Sequence, residues 1–429
     1  MREGLLKMRG ETGLSYVQSV VTDKIPVFQK EERDKYLRMT YRFLTKESRQ
    51  IGKTILNVIV LTFALTVLLA GFAAGRAAAD GQNLPYADRY IDLHLHLDGA
   101  ITLDIAKQLA ALQGYPLPED RDEELEKYLT VPEDCESLND FLKCFELPGY
   151  LLQTPEGLRE AVHLVADSIR SQGVIYAEIR FAPQVHTKEG MTQEEAVQAA
   201  LEGLEETELK ANLILCCMRG EGNEAQNEET LALAKKYLVE DGGVVAVDLA
   251  GAEALYPTEN YRALFAEAKE LGIPFTIHAG EASGPESVRL AIEYGASRIG
   301  HGVRIFEDPE LVTLVKEKGI ALEMCPTSNR QTHAIADMAG YPFMQYLEDG
   351  IRVTLNTDDM GIEGTTLAKE FRYMEETFAL SPEQERIVLA YAVDAAFTTD
   401  EVKDRLREEL GLPKGTVIEL LEEPLPEAS

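Results

Sequence analysis

Cysteine is scarce in this chain of 429 residues: there are five, an odd number, and two of them (Cys216 and Cys217) are adjacent. None belongs to a Cys-x-x-Cys pair, so neither a disulfide framework nor a thiolate zinc site is expected. Basic residues are in deficit, 42 Lys and Arg against 74 Asp and Glu, giving a formal charge of −32 and a pI near 4.6. Such a field repels phosphate backbones, and nucleic-acid binding is not expected. Internal repeats and low-complexity blocks are also lacking. What remains is 45% hydrophobic and 27% charged residues, enough for a sizeable core.

The deficit is uneven. Residues 1–79 carry 13 Lys and Arg against 7 Asp and Glu, whereas the remaining 350 carry 29 against 67. From Thr54 to Gly75, 22 residues run without a charge. As a helix they would reach about 33 Å, enough to cross a hydrocarbon layer of about 30 Å. Basic residues from Arg33 to Lys53 precede the run, so the positive-inside rule keeps the N-terminus in the cytoplasm and exports the chain beyond Arg76. The expected division is a basic segment over 1–53, a transmembrane signal anchor over 54–75 (or the apolar region of a signal peptide), a linker over 76–89 and a folded domain over 90–429. The expected location is a membrane-anchored protein with that domain exported. Secretion after cleavage near Ala79, with Met39 as the true start, and a cytoplasmic protein whose leader is a mis-assigned start are the alternatives.

Beyond Tyr90, short β-branched runs alternate with longer amphipathic stretches such as MTQEEAVQAALEGLEETE. The runs are Ile91–Leu97, Val174–Phe181, Ala211–Cys217, Val244–Leu249, Phe275–His278, Arg298–His301, Ile320–Met324 and Arg352–Asn356. Eight strands each followed by a helix predict an α/β fold, a parallel (β/α)8 TIM barrel. A doubly wound sheet is disfavoured because no Gly-x-Gly-x-x-Gly loop follows the first strand. The insert at about Thr102–Gly173 reads as extra helices over the barrel mouth.

Catalytic groups of such barrels sit at the C-terminal ends of the strands. Four of the seven histidines fall there: His94 and His96 in IDLHLHLDG, His278 in TIHAGE and His301 in RIGHG. Glu281 follows in TIHAGE, and LNTDD supplies Asp358 and Asp359. Taken singly, each is as ordinary as a hydrogen-bonded core histidine or a helix cap. Taken together at one mouth, imidazoles and a carboxylate suit a borderline metal such as Zn²⁺ with water activated beside it. The fourth strand (VVAVDLAGAE) lacks the terminal Lys that a carbamate-bridged pair of metals would want, so one metal is expected.

HLHLDG, IHAGE, IGHG and LNTDD, in this order and with CCMRG, DLAG and EMCPTSN at further strand ends, resemble the adenosine deaminase family of metal-dependent hydrolases. The resemblance runs from about Tyr90 to Leu410. It implies a single Zn²⁺ held by His94, His96, His278 and Asp358. It implies Glu281 as the acid that protonates the purine nitrogen beside the reacting carbon, and His301 as the base that handles the attacking water. Asp98 would hold a ribose hydroxyl, Asp359 the imidazole side of the purine, and the Gly251 N–H the ring. The implied reaction is deamination of adenosine and 2′-deoxyadenosine, with a purine nucleoside as the small-molecule partner. Asp98 favours a nucleoside, because relatives acting on the free base tend to carry Glu there and a carboxylate repels a 5′-phosphate.

Two positions depart from the family pattern: Met360 follows Asp359 where Pro is frequent, and Gly220 stands where His is common. An adenine or modified-adenosine deaminase is therefore an alternative, as is a non-catalytic nucleoside-binding protein. The missing Lys and the IHAGE acid argue against a phosphoester or lactone hydrolase. Glu178 and Glu253 are expected to be structural carboxylates, with Arg180 and Arg219 as candidate partners. Cys325 is expected to be a packed thiol, and Phe141, Phe145 and Met218 to be core.

Overall fold

The computed structural model describes residues 86–132 and 138–413. Eight parallel strands are present: β1 (Tyr90–His96), β2 (Val174–Phe181), β3 (Lys210–Met218), β4 (Val244–Ala250), β5 (Thr276–Ala279), β6 (Arg298–His301), β7 (Ala321–Met324) and β8 (Arg352–Leu355). They pair in sequence order as β1-β2-β3-β4 and β5-β6-β7-β8. Two isolated bridges, Val247 to Phe275 and Leu95 to Asp358, join these sheets at both edges. The result is a ring of strands, as a (β/α)8 barrel requires. Helices lie between the strands, and the strands are buried on both faces; every residue of β4 is buried.

Local chemistry sets the helix ends. Thr154 accepts from Gly157 N to start the helix Pro155–Ser171, and Thr192 forms a reciprocal capping box with Glu195. The insert between β1 and β2 is helical, with segments at Leu103–Gln113, Asp122–Leu125, Leu138–Lys143 and Glu146–Leu151. It reaches the mouth: Val131 N donates to Ile362 O at 2.9 Å and Thr130 Oγ1 to Gly361 O at 2.9 Å, both just past β8. Phe141 packs with Val131, Cys144 and Ile362 there, with Phe145 against them.

The strand positions match the sequence expectation to within two residues at either end. The membrane expectation is corrected. Among the described residues no helix is long and apolar enough to cross a membrane, and the anchor read at 54–75, with its flanking segments 1–53 and 76–85, lies outside the described residues.

Candidate active site

The period-two alternation of β1 puts His94 and His96 on one face of the strand. Asp358 is brought to them through its own backbone: its N–H donates to His94 O at 2.8 Å and its C=O accepts from His96 N at 2.9 Å. The peptide holds Asp358 at φ 61, a left-handed value uncommon away from glycine. His94 Nε2 and His96 Nε2 each lie 3.3 Å from Asp358 Oδ1. His96 Nε2 lies 3.2 Å from His278 Nε2, which arrives from β5. Gly300 makes room for this approach, since a Cβ there would come within 3.1 Å of both His94 Cε1 and His278 Cα.

These separations fit a shared metal. Four donors at about 2.0–2.1 Å from a tetrahedral Zn²⁺ stand about 3.3 Å apart. His94 Nε2 is fully buried and has no hydrogen-bond partner among the described residues. Burial alone would raise the Asp358 carboxyl, but the imidazoles of His94 and His301 hold it well below the usual range. The group whose donor atoms all lie within 4.8 Å of one another is His94, His278, His301 and Asp358, with His301 in it in place of His96.

Behind the histidines lies a buried ladder of charges. His94 Nδ1 meets Glu323 Oε2 at 2.7 Å, and His278 Nδ1 meets Asp248 Oδ2 at 2.8 Å. Arg180 bridges the two carboxylates, at 2.8 Å to Glu323 and 2.9 Å to Asp248. Arg298 continues the ladder from Glu323 Oε1 to Glu178 Oε2, both at 2.6 Å. Each Nδ1 is thus engaged and each Nε2 is presented to the centre, the arrangement by which carboxylates orient metal-binding imidazoles.

Glu281 and His301 stand on one side of this centre, Glu281 Oε2 being 3.5 Å from His301 Nε2. Burial raises Glu281 to about 8, with the charges of Asp358 and Glu253 adding to the effect. Burial lowers His301 well below its ordinary value, against the pull of Asp358. One group is therefore a protonated acid near neutral pH and the other a neutral base. The His301 Nδ1 lies 3.0 Å from Asn329 Nδ2, and Asn329 Oδ1 accepts from Tyr341 at 2.9 Å.

Asp98 and Asp359 are at the same mouth. Asp359 Oδ1 has no partner among the described residues, and burial, then Asp358 and Asp98, raise its carboxyl well above the usual range. Gly99 permits this placement, because a Cβ there would fall 1.8 Å from Asp359 Oδ1. Gly251 follows β4 at φ 101. Two residues on, Glu253 accepts from the backbone N–H groups of Gly280, Glu281, Ala282 and Ser283 at 2.8–3.2 Å. All nine residues singled out in the sequence thus come to the C-terminal end of the ring.

Some partner assignments change. Glu178 pairs with Arg298 rather than Arg180, because Arg180 is taken up by Asp248 and Glu323. The Glu253 carboxylate is satisfied by a loop of backbone donors, while Arg219 donates to Tyr256 O, Thr258 Oγ1 and His278 O. Asp248, Glu323 and Asn329 were not singled out by sequence reasoning. The signal for the first two was a carboxylate inside an otherwise apolar strand, VVAVDLA and ALEM. Cys325 is fully buried with its thiol 3.5 Å from Glu323 O.

Comparison with known proteins agrees with this geometry. The family model described as Adenosine deaminase matches residues 90–412. An adenosine deaminase from Haemophilus ducreyi is 48% identical over 322 residues, covering 74% of this chain and 94% of that protein. Almost the whole of that relative is thus matched, leaving no room in it for a leader like 1–85, and the reading of a membrane-anchored, exported enzyme is withdrawn. Among solved structures, an adenine deaminase from Arthrobacter aurescens superposes with a TM-score of 0.68 at 25% identity, over 79% of this chain and all of that one. An N6-methyl-AMP deaminase from Arabidopsis thaliana gives 0.65 at 26%, over 75% and 96%. With its motifs, its ring of parallel strands and these relatives in agreement, the chain belongs to the adenosine deaminase family.

Proposed function

We propose that this enzyme hydrolyses adenosine and 2′-deoxyadenosine to inosine and 2′-deoxyinosine, releasing ammonia, with one Zn²⁺ per chain held by His94, His96, His278 and Asp358. The observation that carries the reading is a chain of three 3.2–3.3 Å separations, His94 to Asp358, Asp358 to His96 and His96 to His278, beside a raised carboxylic acid. His301 is placed outside the ligand set because its nearest Asp358 oxygen is Oδ2, at 3.6 Å, and its Nε2 also faces Glu281. When bound, the metal supplies a water that ionises near neutral pH.

The side chains do the rest. Glu281 donates its proton to the purine nitrogen beside the amino-bearing carbon, which makes that carbon electrophilic. His301, neutral in its buried setting, takes a proton from the attacking water and holds it in line. The water oxygen bonds to that carbon, the proton held by His301 passes to the amino group, and the C–N bond breaks to release ammonia while the hydroxyl proton returns to Glu281 and leaves the carbonyl of the product. Asp359, its carboxyl raised by burial and then by its acidic neighbours, faces the imidazole side of the purine, and Gly251 offers its N–H to the ring. Asp98 takes a ribose hydroxyl.

Asp98 sets the substrate preference in this reading. A carboxylate at the ribose end rewards a sugar hydroxyl and repels a 5′-phosphate, so nucleosides are preferred to adenine and to the monophosphate. Rates measured with zinc on adenosine, 2′-deoxyadenosine, adenine and AMP test this. An adenosine ultraviolet spectrum left unchanged by the zinc-loaded protein would refute the activity. A faster rate on adenine or AMP would refute the role of Asp98 while leaving the chemistry intact.

A further inference from the structure

The residue after the short helix Pro326–Gln331 touches the proposed acid. Thr332 Oγ1 lies 3.0 Å from Glu281 Oε1 and 2.9 Å from Ser328 O. A hydroxyl carries one hydrogen and can donate to only one of these acceptors at a time. Ser328 O is already served, since Thr332 N donates to it at 2.8 Å. Donating the Thr332 hydrogen to Glu281 Oε1 thus leaves Ser328 O still paired, whereas donating it to Ser328 O would give that carbonyl a second donor and Oε1 none from Thr332; a bond to a carboxyl oxygen also gains strength as that group ionises. The other oxygen, Oε2, is the one that faces His301 Nε2.

We infer that Thr332 is a positioning residue for the deamination: by donating to Oε1 it places the acid proton of Glu281 on Oε2. From there the proton passes to the purine nitrogen, the electron pair stays on Oε2, and the Thr332 bond stabilises the new carboxylate. The opposite arrangement has Oε1–H donating to Thr332 and Thr332 donating to Ser328. It would turn the proton away from the reacting atoms. The inference rests on Glu281 being the acid, as proposed above.

The test compares Thr332→Val, Thr332→Ala and Thr332→Ser in the zinc-loaded full chain. Without the hydroxyl, kcat is expected to fall about tenfold, the worth of one hydrogen bond to a developing charge, with KM and zinc content unchanged. Serine is expected to restore kcat to within about twofold, since it keeps the hydroxyl. An unchanged kcat in the valine and alanine variants overturns the inference, as does a rise, which would mean that the hydroxyl sequesters the proton. Failure of serine to restore the rate overturns it too. Should valine disturb folding, alanine against serine decides by the same criteria. Glu281→Gln separates the two levels: if it retains turnover the acid assignment falls, whereas if it is inactive and the Thr332 variants are normal only the positioning role falls.

Discussion

Arg180 Nη2 lies 2.8 Å from Glu323 Oε2, and neither side chain is reached by solvent. Because Arg180 also holds Asp248, one guanidinium braces the carboxylates that orient His94 and His278. Arg180→Met removes the cation that the two buried carboxylates share, leaving Glu323 with Arg298 and Asp248 with no arginine. The expected cost is about 3–5 kcal/mol of stability, as for breaking a buried ion pair, and about 10–100-fold in zinc affinity. Denaturant unfolding and zinc titration of the metal-stripped protein measure the two effects. Arg180→Lys is expected to rescue only part of either, because an ammonium cannot reproduce the fork.

In the proposed mechanism Glu281 is the acid and must carry its proton. Burial, followed by the charges of Asp358 and Glu253, raises it to about 8. Activity is therefore expected to persist through neutral pH and to decline as pH rises past about 8, where the acid ionises. A kcat/KM profile that stays flat well into the alkaline range would remove Glu281 from that role. Glu281→Gln keeps the shape without the acidity, and is expected to cut turnover by about 10²–10⁴ while zinc content stays the same.

The loop bearing Glu281 is gathered around the carboxylate of Glu253, which receives four successive backbone N–H groups. Glu253→Ala removes a charged acceptor and strands those donors. A stability loss of about 1–3 kcal/mol is expected, accompanied by a fall in kcat larger than any change in zinc content. Thermal unfolding, metal analysis and steady-state rates distinguish this from a purely global effect.

His186 closes the turn after β2 and is fully buried, with the Leu152 backbone as the polar group beside its ring. Burial lowers it from 6.5 to about 4. As pH falls below 6.5 the unfolded chain takes up a proton that the folded chain refuses, so stability is lost progressively down to about pH 4. The full loss is about 3 kcal/mol for this one group. His186→Leu is expected to flatten that part of the curve, read by denaturant unfolding at pH 7 and pH 4.5. An unaltered slope would show that other groups carry the acid sensitivity.

Alternating short apolar runs and amphipathic stretches were enough to place all eight strands, because both faces of a parallel strand are buried and the run of Val, Ile and Leu has no competing period. His94, His96, His278, His301 and Asp358 were legible for a different reason: polar, metal-capable residues rarely end so many strands by chance. Asp248, Glu323 and Asn329 were not legible. Their partners lie on other strands and loops, and pairing across the barrel depends on register, which composition does not report. The same holds for Glu178, whose cation proved to be Arg298 of β6 rather than Arg180 two residues along its own strand. Segment 54–75 shows the converse hazard: a length of uncharged residues fits a membrane span, a signal peptide or a buried helix equally well, and length alone does not choose among them.

The peptide of Asp358 is the stitch that fastens the last strand to the first, bonded to His94 and His96 on either side. The same peptide that completes the cylinder thus also sets the Asp358 carboxylate beside His94 and His96. An ion gripped by those side chains would rivet the joint from within, so a chelator should loosen the whole cylinder and not only silence its chemistry.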